Sequence, residues 1–552
     1  MQTKEKIAQA VRAAAQAAID DGALKAADNL PEVALEVPPK KEFGDFATNF
    51  AMQTAKIFRT SPRKIAEEIK ARINSELFER IEIAGAGFMN FYLRGDVIYR
   101  ELKEIYDAEE NFGHLPNKNN VTIQIEYVSA NPTGLLHVGH GRGAAAGSAI
   151  VNILRAAGFN VESEYYINDA GSQMDKLTKS VNARYLQLLG QDVPFPEDGY
   201  LGEDITDTTR RIIRIHGDKY LNLPENERLE ILGELAYADK LLELKKDLRK
   251  FRVDIDFWFS ERTLHPDKIN AAIEILKANG GIYEKDGALW LASTKYGDDK
   301  DRVVVRETGE PTYLAADIAY HKNKFDRGFS ELINLWGADH HGYVARVKAA
   351  MKMLGYNPDK LKIIFLQMVS LYRDGKEVKM SKRAGTAIPL RELMDEVGTD
   401  AARYFFLMRS TDSQLDFDLD LAKSQSADNP VYYVQYAHAR ICSIFRQTKE
   451  AGIILDGEPK FSLMNSNAEI DLINKIFEYP AEIEKAAAEY APQRIARYVY
   501  DLASTFSSFY RDCRILGVDS ELAQARLALL KITRHTISHA LNLLGVSAPE
   551  RM

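Results

Sequence analysis

The sequence predicts a multidomain protein, α/β followed by all-α, built around a doubly wound parallel sheet. Three observations predict this fold class. At 552 residues the chain is too long for one hydrophobic core. Between residues 121 and 167 a strand, a glycine-containing loop, a helix and a second strand follow one another, which is typical of a parallel sheet. From residue 391 to Met552 the pattern is helix after helix.

These elements divide the chain into three predicted domains. Residues 1–112 combine two helical segments with aromatic and glycine-containing runs, and predict a small α/β domain. Residues 113–390 hold the parallel sheet, with DRVVVRE, LINLWGA and IIFLQMVSLY as its second half and a charged helical insertion at about 172–290. Residues 391–552 form the predicted helical domain.

The composition limits the possible classes of protein. Apolar residues make up 45% and charged residues 28% of the chain, which is typical of a globular protein. The two cysteines, without a CxxC or Cys/His cluster, offer neither a disulfide framework nor a structural metal site. Without a signal peptide or a long apolar run, we expect a cytoplasmic protein outside the membrane. A net charge of −8 argues weakly against a general nucleic-acid binder, although a local basic surface can bind RNA.

The first candidate site follows the first strand of the sheet, where Val121 to Tyr127 alternate in polarity. The loop SANPTGLL leads from this strand to HVGH, at the start of a glycine- and alanine-rich helix. Helix N-termini attract anions, Gly139 lets a nucleotide approach the backbone, and His137 and His140 can donate to charge on a phosphate. The motif therefore indicates a triphosphate site. Four letters recur by chance, so two ordinary loop histidines are the alternative on the motif alone.

A second motif, KMSKRAG, begins at Lys379 after a strand and a polar turn. Two lysines, Lys379 and Lys382, can clamp a pyrophosphate leaving group and neutralise the charge that forms on it. A solvated basic loop is the commoner fate of a run of charges. The HVGH motif upstream in the same sheet argues against that alternative.

These motifs resemble the HIGH and KMSKS signatures of class I aminoacyl-tRNA synthetases, in the same order and on the same elements. The longer strings EYVSANPTGLLHVGHGRG, YINDAGSQ and DNPVYYVQYAHARI are similar to the arginyl-tRNA synthetases in particular. The resemblance covers essentially the whole chain, including FGDFATN in the N-terminal region. It implies a class I Rossmann-like catalytic domain between an additional N-terminal domain that contacts tRNA and a C-terminal helical-bundle domain that binds the anticodon.

The resemblance also implies an activity. L-arginine is activated by ATP, with Mg²⁺, to arginyl-adenylate and then transferred to the 3′ end of tRNA-Arg, and activation requires bound tRNA. The implied catalytic residues are His137, His140, Lys379 and Lys382. The implied ATP-binding residues are Gly139, Gly337, Asp339, Met380 and Ser381. A monomer is expected.

Three departures from the family pattern bear on these roles. Val138 stands for the isoleucine of the first signature and Arg383 for the last serine of the second, and both changes are ordinary for the class. Family members without the second signature lysine tend to carry a lysine at the position of Gly134. This chain has Lys382 and no lysine at position 134, so Lys382 is assigned the principal electrostatic role.

Arginine specificity also has a physical argument, because a guanidinium needs carboxylates or other acceptors in a fixed fork. Glu126 lies near the end of the first strand, and Tyr313 and Asp317 are one turn apart if TYLAAD is helical. By resemblance, the arginine-binding residues are Glu126, Asn131, His137, Tyr313, Asp317 and His341. Glu126 and Asp317 would face the cation, and Asn131 the amino-acid end. Without the resemblance, each carboxylate is more often a surface or capping residue.

The run WGADHH ends a strand and is similar to the class I segment that holds the ATP ribose. Asp339 would accept from the ribose hydroxyls, and Gly337 would allow close approach. Two adjacent histidines also invite a metal interpretation. We reject it because adjacent side chains point apart and no third ligand is evident.

In the helical domain, Tyr432, Tyr436 and Arg440 are candidates for contact with unstacked anticodon bases. Core packing is the alternative for two of Tyr432, Tyr433 and Tyr436, since tyrosines at helical spacing often pack inward.

Three rival functions share parts of this pattern. A synthetase for another amino acid conflicts with the carboxylate set and the N-terminal domain. Small nucleotidylyltransferases share HxGH but lack a long helical C-terminal region. A catalytically silent RNA-binding relative has no reason to keep both histidines and both lysines.

Overall fold

The computed structural model describes residues 2–27, 29–36, 38, 40–73, 76–378 and 388–552. Lys379, Met380, Ser381 and Lys382 of the second motif lie outside the described residues. Their assigned roles therefore stay predictions.

The N-terminal region is a small α/β unit with an antiparallel sheet. Its elements are α1 (Gln2–Asp20), β1 (Phe46–Thr48), α2 (Phe50–Gln53), α3 (Ala55–Phe58), α4 (Pro62–Arg72), β2 (Phe78–Ala84), β3 (Phe88–Leu93) and α5 (Gly95–Ala108). The strand order is β1-β3-β2. Ser61 caps α4 by accepting the backbone N–H of Lys64, and Pro62 occupies the first turn. The two predicted helical segments correspond to α1 and α4, and the predicted α/β character is confirmed.

The centre of the molecule is a five-stranded parallel sheet with helices on its faces. Its part of the chain contains β4 (Thr122–Glu126), α6 (Val138–Ala156), β5 (Asn160–Ile167), α7 (Ser172–Leu188), α8 (Glu203–His216), α9 (Glu225–Lys250), β6 (Phe257–Ser260), α10 (Asp267–Ala278), β7 (Ile282–Lys285), β8 (Ala288–Leu291), β9 (Arg302–Val305), α11 (Tyr313–Asp326), β10 (Glu331–Gly337), α12 (Val344–Met353) and β11 (Leu361–Leu366). The sheet order is β11-β10-β4-β5-β6, and every pairing is parallel. The order reverses between β4 and β10, which is where such sheets bind ligands.

Helix α6 packs closely on β4. Ala145, Ala149 and Ile150 of α6 are buried. A Cβ atom on Gly147 would overlap the ring of Tyr127, so this approach requires glycine at position 147. The close packing places the N-terminus of α6, which carries the HVGH motif, at the carboxyl end of β4.

The central sheet differs from the prediction in three strands. DRVVVRE forms β9, which belongs to a separate antiparallel sheet of order β7-β8-β9. Strand β6 pairs with β5 although it lies inside the predicted insertion. IIFLQMVSLY contains two strands, of which only β11 joins the parallel sheet. These assignments were wrong because an apolar run identifies a strand without identifying its partner.

The remaining part of the chain is mainly helical. Its elements are β12 (Val369–Arg373), β13 (Lys376–Glu377), α13 (Leu390–Val397), α14 (Thr399–Leu407), β14 (Leu415–Asp418), α15 (Leu419–Lys423), α16 (Pro430–Glu450), α17 (Asn467–Phe477), α18 (Tyr479–Ala488), α19 (Pro492–Asp512) and α20 (Ser520–Leu543). The predicted helical character of the C-terminal part of the chain is confirmed, except that β14 interrupts it and pairs with β12. No helix among the described residues combines the length and the apolar character that a membrane crossing requires.

Candidate active site

A cavity of about 640 Å³ opens at the carboxyl ends of β4, β10 and β11. Six residues predicted to bind or react line it: Asn131, His137, Gly139, His140, Gly337 and Asp339. The two described residues that border the second motif, Val378 and Ile388, line the same cavity. The backbone N–H of Val138 donates to the Ile388 carbonyl at 3.0 Å. The chain on the C-terminal side of the second motif is therefore hydrogen-bonded to the first motif.

The two histidines of HVGH hold each other through the backbone. His137 is the N-cap of α6, and its Nδ1 accepts the backbone N–H of His140 at 3.4 Å. In return, His140 Nδ1 accepts the backbone N–H of His137 at 3.3 Å. The rings stack with their centroids 3.6 Å apart. Because the two histidines are three residues apart, their side chains cap the N-terminus of α6 reciprocally and place two imidazole rings side by side.

The protonation state of both histidines follows from these contacts. Burial lowers the pKa of His137, and burial together with His137 lowers the pKa of His140 to about 3. Both rings are therefore neutral at pH 7. Because each Nδ1 accepts a backbone N–H, each neutral ring carries its proton on Nε2 and keeps one N–H donor for a ligand.

Arg142 follows the motif by less than one turn and was not singled out from the sequence. Its side chain is buried and contacts two loops. One guanidinium nitrogen donates to the carbonyl oxygens of Gln367 at 2.9 Å and Met368 at 3.3 Å. The other donates to those of Ser410 and Ser413, both at 2.8 Å. Since Gln367 and Met368 line the cavity, Arg142 fixes one of its walls to α6.

The predicted ribose-binding segment ends β10 and enters a 3-10 helix, Ala338–Tyr343. The Asp339 carboxylate is 83% exposed, with His340 Nε2 at 3.8 Å. His341 stacks on Phe365 at 4.7 Å, whereas His340 lies near Trp336. The adjacent histidines thus face different partners, and no cluster of three or more His, Cys, Asp or Glu within the described ranges could hold a metal ion.

Two predicted arginine-binding residues lie on α11, which begins at Tyr313 and places Asp317 one turn later, as predicted. Tyr313 is exposed, and its hydroxyl is 3.2 Å from Ser172 Oγ. The Asp317 carboxylate accepts the hydroxyl of Tyr343. Removal from water raises the pKa of Asp317 to about 7, and the charge of Glu126 acts in the same direction.

Glu126, the last residue of β4, is buried rather than exposed on a polar face. Helices cover both faces of a parallel sheet, so its outward-facing polar residues are buried too. The Oε2 atom is 2.5 Å from Lys324 Nζ, and Oε1 accepts the hydroxyl of Ser129 at 3.0 Å. Burial acts to raise the pKa of Glu126, but Lys324 holds it below its ordinary value. Glu126 is thus a charged and oriented carboxylate that already has a cationic partner.

A third carboxylate, Glu261, joins this group without any local pattern that predicts it. It follows β6, is buried, and has His265 Nε2 at 3.1 Å. Its charge acts on Asp317 and on the hydroxyl of Tyr166, raising the pKa of both. Only the pairing of β6 in the sheet brings Glu261 to Asp317.

Comparison with models of known protein families shows which family the chain is similar to. Three family models match it in succession: "Arginyl tRNA synthetase N terminal domain" at residues 1–93, "tRNA synthetases class I (R), catalytic domain" at 101–427 and "DALR anticodon binding domain" at 434–552. The chain belongs to the arginyl-tRNA synthetase family. The resemblance and the fold class inferred from the sequence are confirmed.

Relatives within the arginyl-tRNA synthetase family match along the full length. The arginine–tRNA ligase of Carboxydothermus hydrogenoformans is 52% identical over 541 residues, 97% of each chain. That of Anoxybacillus flavithermus is 49% identical over 555 residues, 100% of this chain and 99% of the other. The Thermus thermophilus arginyl-tRNA synthetase structure shares the fold, with a TM-score of 0.78 at 23% identity over 99% of this chain and 100% of that one.

In the helical part of the chain, the three residues predicted to contact RNA lie on α16. The rings of Tyr432 and Tyr436 stack with centroids 6.4 Å apart. The Arg440 guanidinium lies 5.1 Å from the Tyr436 centroid and 5.2 Å from that of Tyr510 on α19. Tyr436 and Tyr510 are exposed, and Tyr433 packs against Tyr500. The cluster is partly accessible, which is what stacking of a nucleobase requires.

Proposed function

We propose that the chain is an arginine–tRNA ligase that activates L-arginine with ATP and transfers it to the 3′ end of tRNA-Arg in protein synthesis. Membership of the arginyl-tRNA synthetase family supports this activity. The observation that carries it is a cavity at the reversal point of the sheet, lined by both HVGH histidines, Gly337 and Asp339.

The ATP substrate enters as its Mg²⁺ complex. His137 and His140 donate Nε2–H to the phosphates, Gly139 allows close approach, and Gly337 and Asp339 hold the ribose. Lys379, Met380, Ser381 and Lys382 supply the remaining contacts, with Lys382 as the main counter-charge of the pyrophosphate. Support for this comes from Val378 and Ile388, which border that segment and line the cavity.

In the first step, the carboxylate of arginine attacks the α-phosphorus of ATP, the bond to the β-phosphate breaks, and pyrophosphate leaves. In the second, the terminal adenosine hydroxyl of the tRNA attacks the arginyl carbonyl and AMP leaves. The protein contributes positioning and charge stabilisation, and no side chain acts as a nucleophile.

The guanidinium of arginine is held by the carboxylates of Asp317, Glu126 and Glu261, with Tyr313 and His341 lining the pocket. Asn131 and His137 contact the amino-acid end. Burial and the charge of Glu126 both raise the pKa of Asp317, and a bound substrate cation would offset this effect. An uncharged competitor would leave Asp317 without a cationic partner, so hydrolytic editing is unnecessary.

Arginine affinity should depend on pH. Asp317 binds a guanidinium only as the carboxylate, and its pKa is raised to about 7. We expect the KM for arginine to rise about tenfold per pH unit below roughly pH 6 and to level off above roughly pH 8. The KM for ATP should change much less than the KM for arginine in this window, because burial lowers the pKa of His137 and, together with His137, lowers that of His140 to about 3. Steady-state ATP–pyrophosphate exchange at a series of pH values measures both KM values. Asp317→Asn should abolish the pH dependence of the arginine KM. Parallel changes in the two KM values would contradict the prediction.

The decisive experiment is ATP–pyrophosphate exchange by the purified protein with each amino acid, with and without unfractionated tRNA. We expect exchange with arginine alone, and only when tRNA is present. Exchange with another amino acid would overturn the pocket assignment, full-rate exchange without tRNA would overturn the order of events, and no exchange at all would favour a silent RNA-binding relative.

The finer assignments belong to the same proposal. Residues 1–112 form a domain that makes additional tRNA contacts, residues 113–390 form the catalytic domain, and residues 391–552 form the domain that binds the anticodon. Tyr432, Tyr436 and Arg440 contact the anticodon bases. A monomer in the cytoplasm is proposed.

A further inference from the structure

Lys324, a residue of α11, is wholly buried against strands β4 and β10 of the sheet. Its Nζ donates to Glu126 Oε2 at 2.5 Å and to Asn334 Oδ1 at 2.8 Å. It also lies 4.6 Å from the centroid of the Tyr320 ring. Glu126 on β4 and Asn334 on β10 are register partners across the reversal point. Lys324 therefore ties together the two strands whose ends form the cavity.

The same hydrogen bonds continue to Asp317. Asn334 Nδ2 donates to His321 Nε2 at 2.9 Å, and His321 Nδ1 donates to the Asp317 carbonyl at 2.8 Å. Burial, together with Lys324, lowers the pKa of His321 to about 4, so the ring is neutral and one tautomer satisfies both contacts. The chain of bonds from Lys324 thus fixes the turn of α11 that carries Asp317.

Charge explains why a cation belongs at this place. Glu126, Asp317 and Glu261 interact electrostatically, and Lys324 opposes the rise in the pKa of Asp317 that burial and the two other carboxylates cause. A buried carboxylate without a partner takes up a proton instead of staying ionised. A buried Glu126 therefore needs a counter-charge before any substrate arrives.

We propose that Lys324 is a positioning residue of the arginine pocket, whose ammonium keeps Glu126 ionised and oriented without contacting Asp317 or Glu261, the two other carboxylates proposed to meet the substrate guanidinium. Lys324 does not touch the substrate and acts through Glu126. This inference rests on the proposed function of the pocket.

The test is Lys324→Met, assayed by exchange in the presence of tRNA. We expect the KM for arginine to rise about tenfold or more and the KM for ATP to change by less than about twofold. A loss of stability alone would lower the amount of active enzyme and leave both KM values unchanged. Lys322→Met is the matched control, because Lys322 is two residues away on α11 and pairs at the surface with Asp326.

A double substitution separates the mechanism from folding. If Lys324 acts through Glu126, then Glu126→Gln/Lys324→Met should have the arginine KM of Glu126→Gln alone, to within about twofold. The double variant removes both charges of the Glu126–Lys324 pair, so neither partner is left buried without the other, and it also serves if Lys324→Met fails to fold. An unchanged arginine KM in Lys324→Met, or a further rise in the double variant, would overturn the inference. Absence of arginine exchange in the wild type would instead overturn the proposed function.

Discussion

Replacing Asp317 with asparagine is expected to raise the KM for arginine by about 100-fold or more. Asparagine keeps the size of the side chain and can still accept the hydroxyl of Tyr343, but it removes the charge and points N–H donors at the donors of the guanidinium. Leaving a desolvated cation without its partner costs roughly 2–5 kcal/mol, at about 1.4 kcal/mol per factor of ten. The KM for ATP should change little.

Exchange assays over a wide arginine range, with tRNA present, measure this effect. Asp326→Asn is the matched control, because Asp326 is the other acid of α11 and pairs with Lys322 near the surface. We expect that variant to keep both KM values. An equal rise of the two KM values in Asp317→Asn would place Asp317 outside the arginine pocket.

Replacing His140 with alanine is expected to lower kcat for adenylate formation about 100- to 1,000-fold. The change removes a neutral Nε2–H donor from the phosphate side of the cavity and the acceptor that holds the backbone N–H of His137. The lost cap interaction costs about 1 kcal/mol of stability, which is too small to explain such a loss of rate. The KM for arginine should stay near that of the wild type.

Single-turnover adenylate formation measures the effect of His140→Ala on the rate, and thermal unfolding measures its effect on stability. His216→Ala provides the comparison, since His216 lies at the end of α8 and contacts Tyr220. A fall in kcat of less than about tenfold would remove His140 from the phosphate-binding role.

Much of the site could be predicted because its residues stand at recognisable spacings. HVGH predicted a helix N-terminus, and the structure places it there. The spacing of four residues places Tyr313 and Asp317 one turn apart if the segment is helical, and the segment is helix α11. Along α11, a step of four residues from Asp317 reaches His321 and a step of three more reaches Lys324, so a polar stripe on a buried helix face was an available signal for Lys324.

Other residues could not be found in this way. Glu261 reaches Asp317 only because β6 joins the edge of the sheet, and Arg142 gains its role from carbonyl groups more than 200 residues away along the chain. The misplacement of β9 has the same origin, because local periodicity does not encode which strands pair. Long-range pairing is thus what separates the predicted site from the observed one.

The reciprocal contacts of His137 and His140 use a property of imidazole that simpler polar side chains lack. Each imidazole uses one nitrogen to close the end of α6 and has the other left for a ligand. A hydroxyl or a carboxylate can close a helix end, and an ammonium can meet a phosphate, but neither offers an acceptor and a donor on opposite edges of one rigid ring. The motif therefore supports its own geometry, and a phosphate bound there as proposed would meet two oriented N–H dipoles without displacing a counter-ion or waiting for a proton.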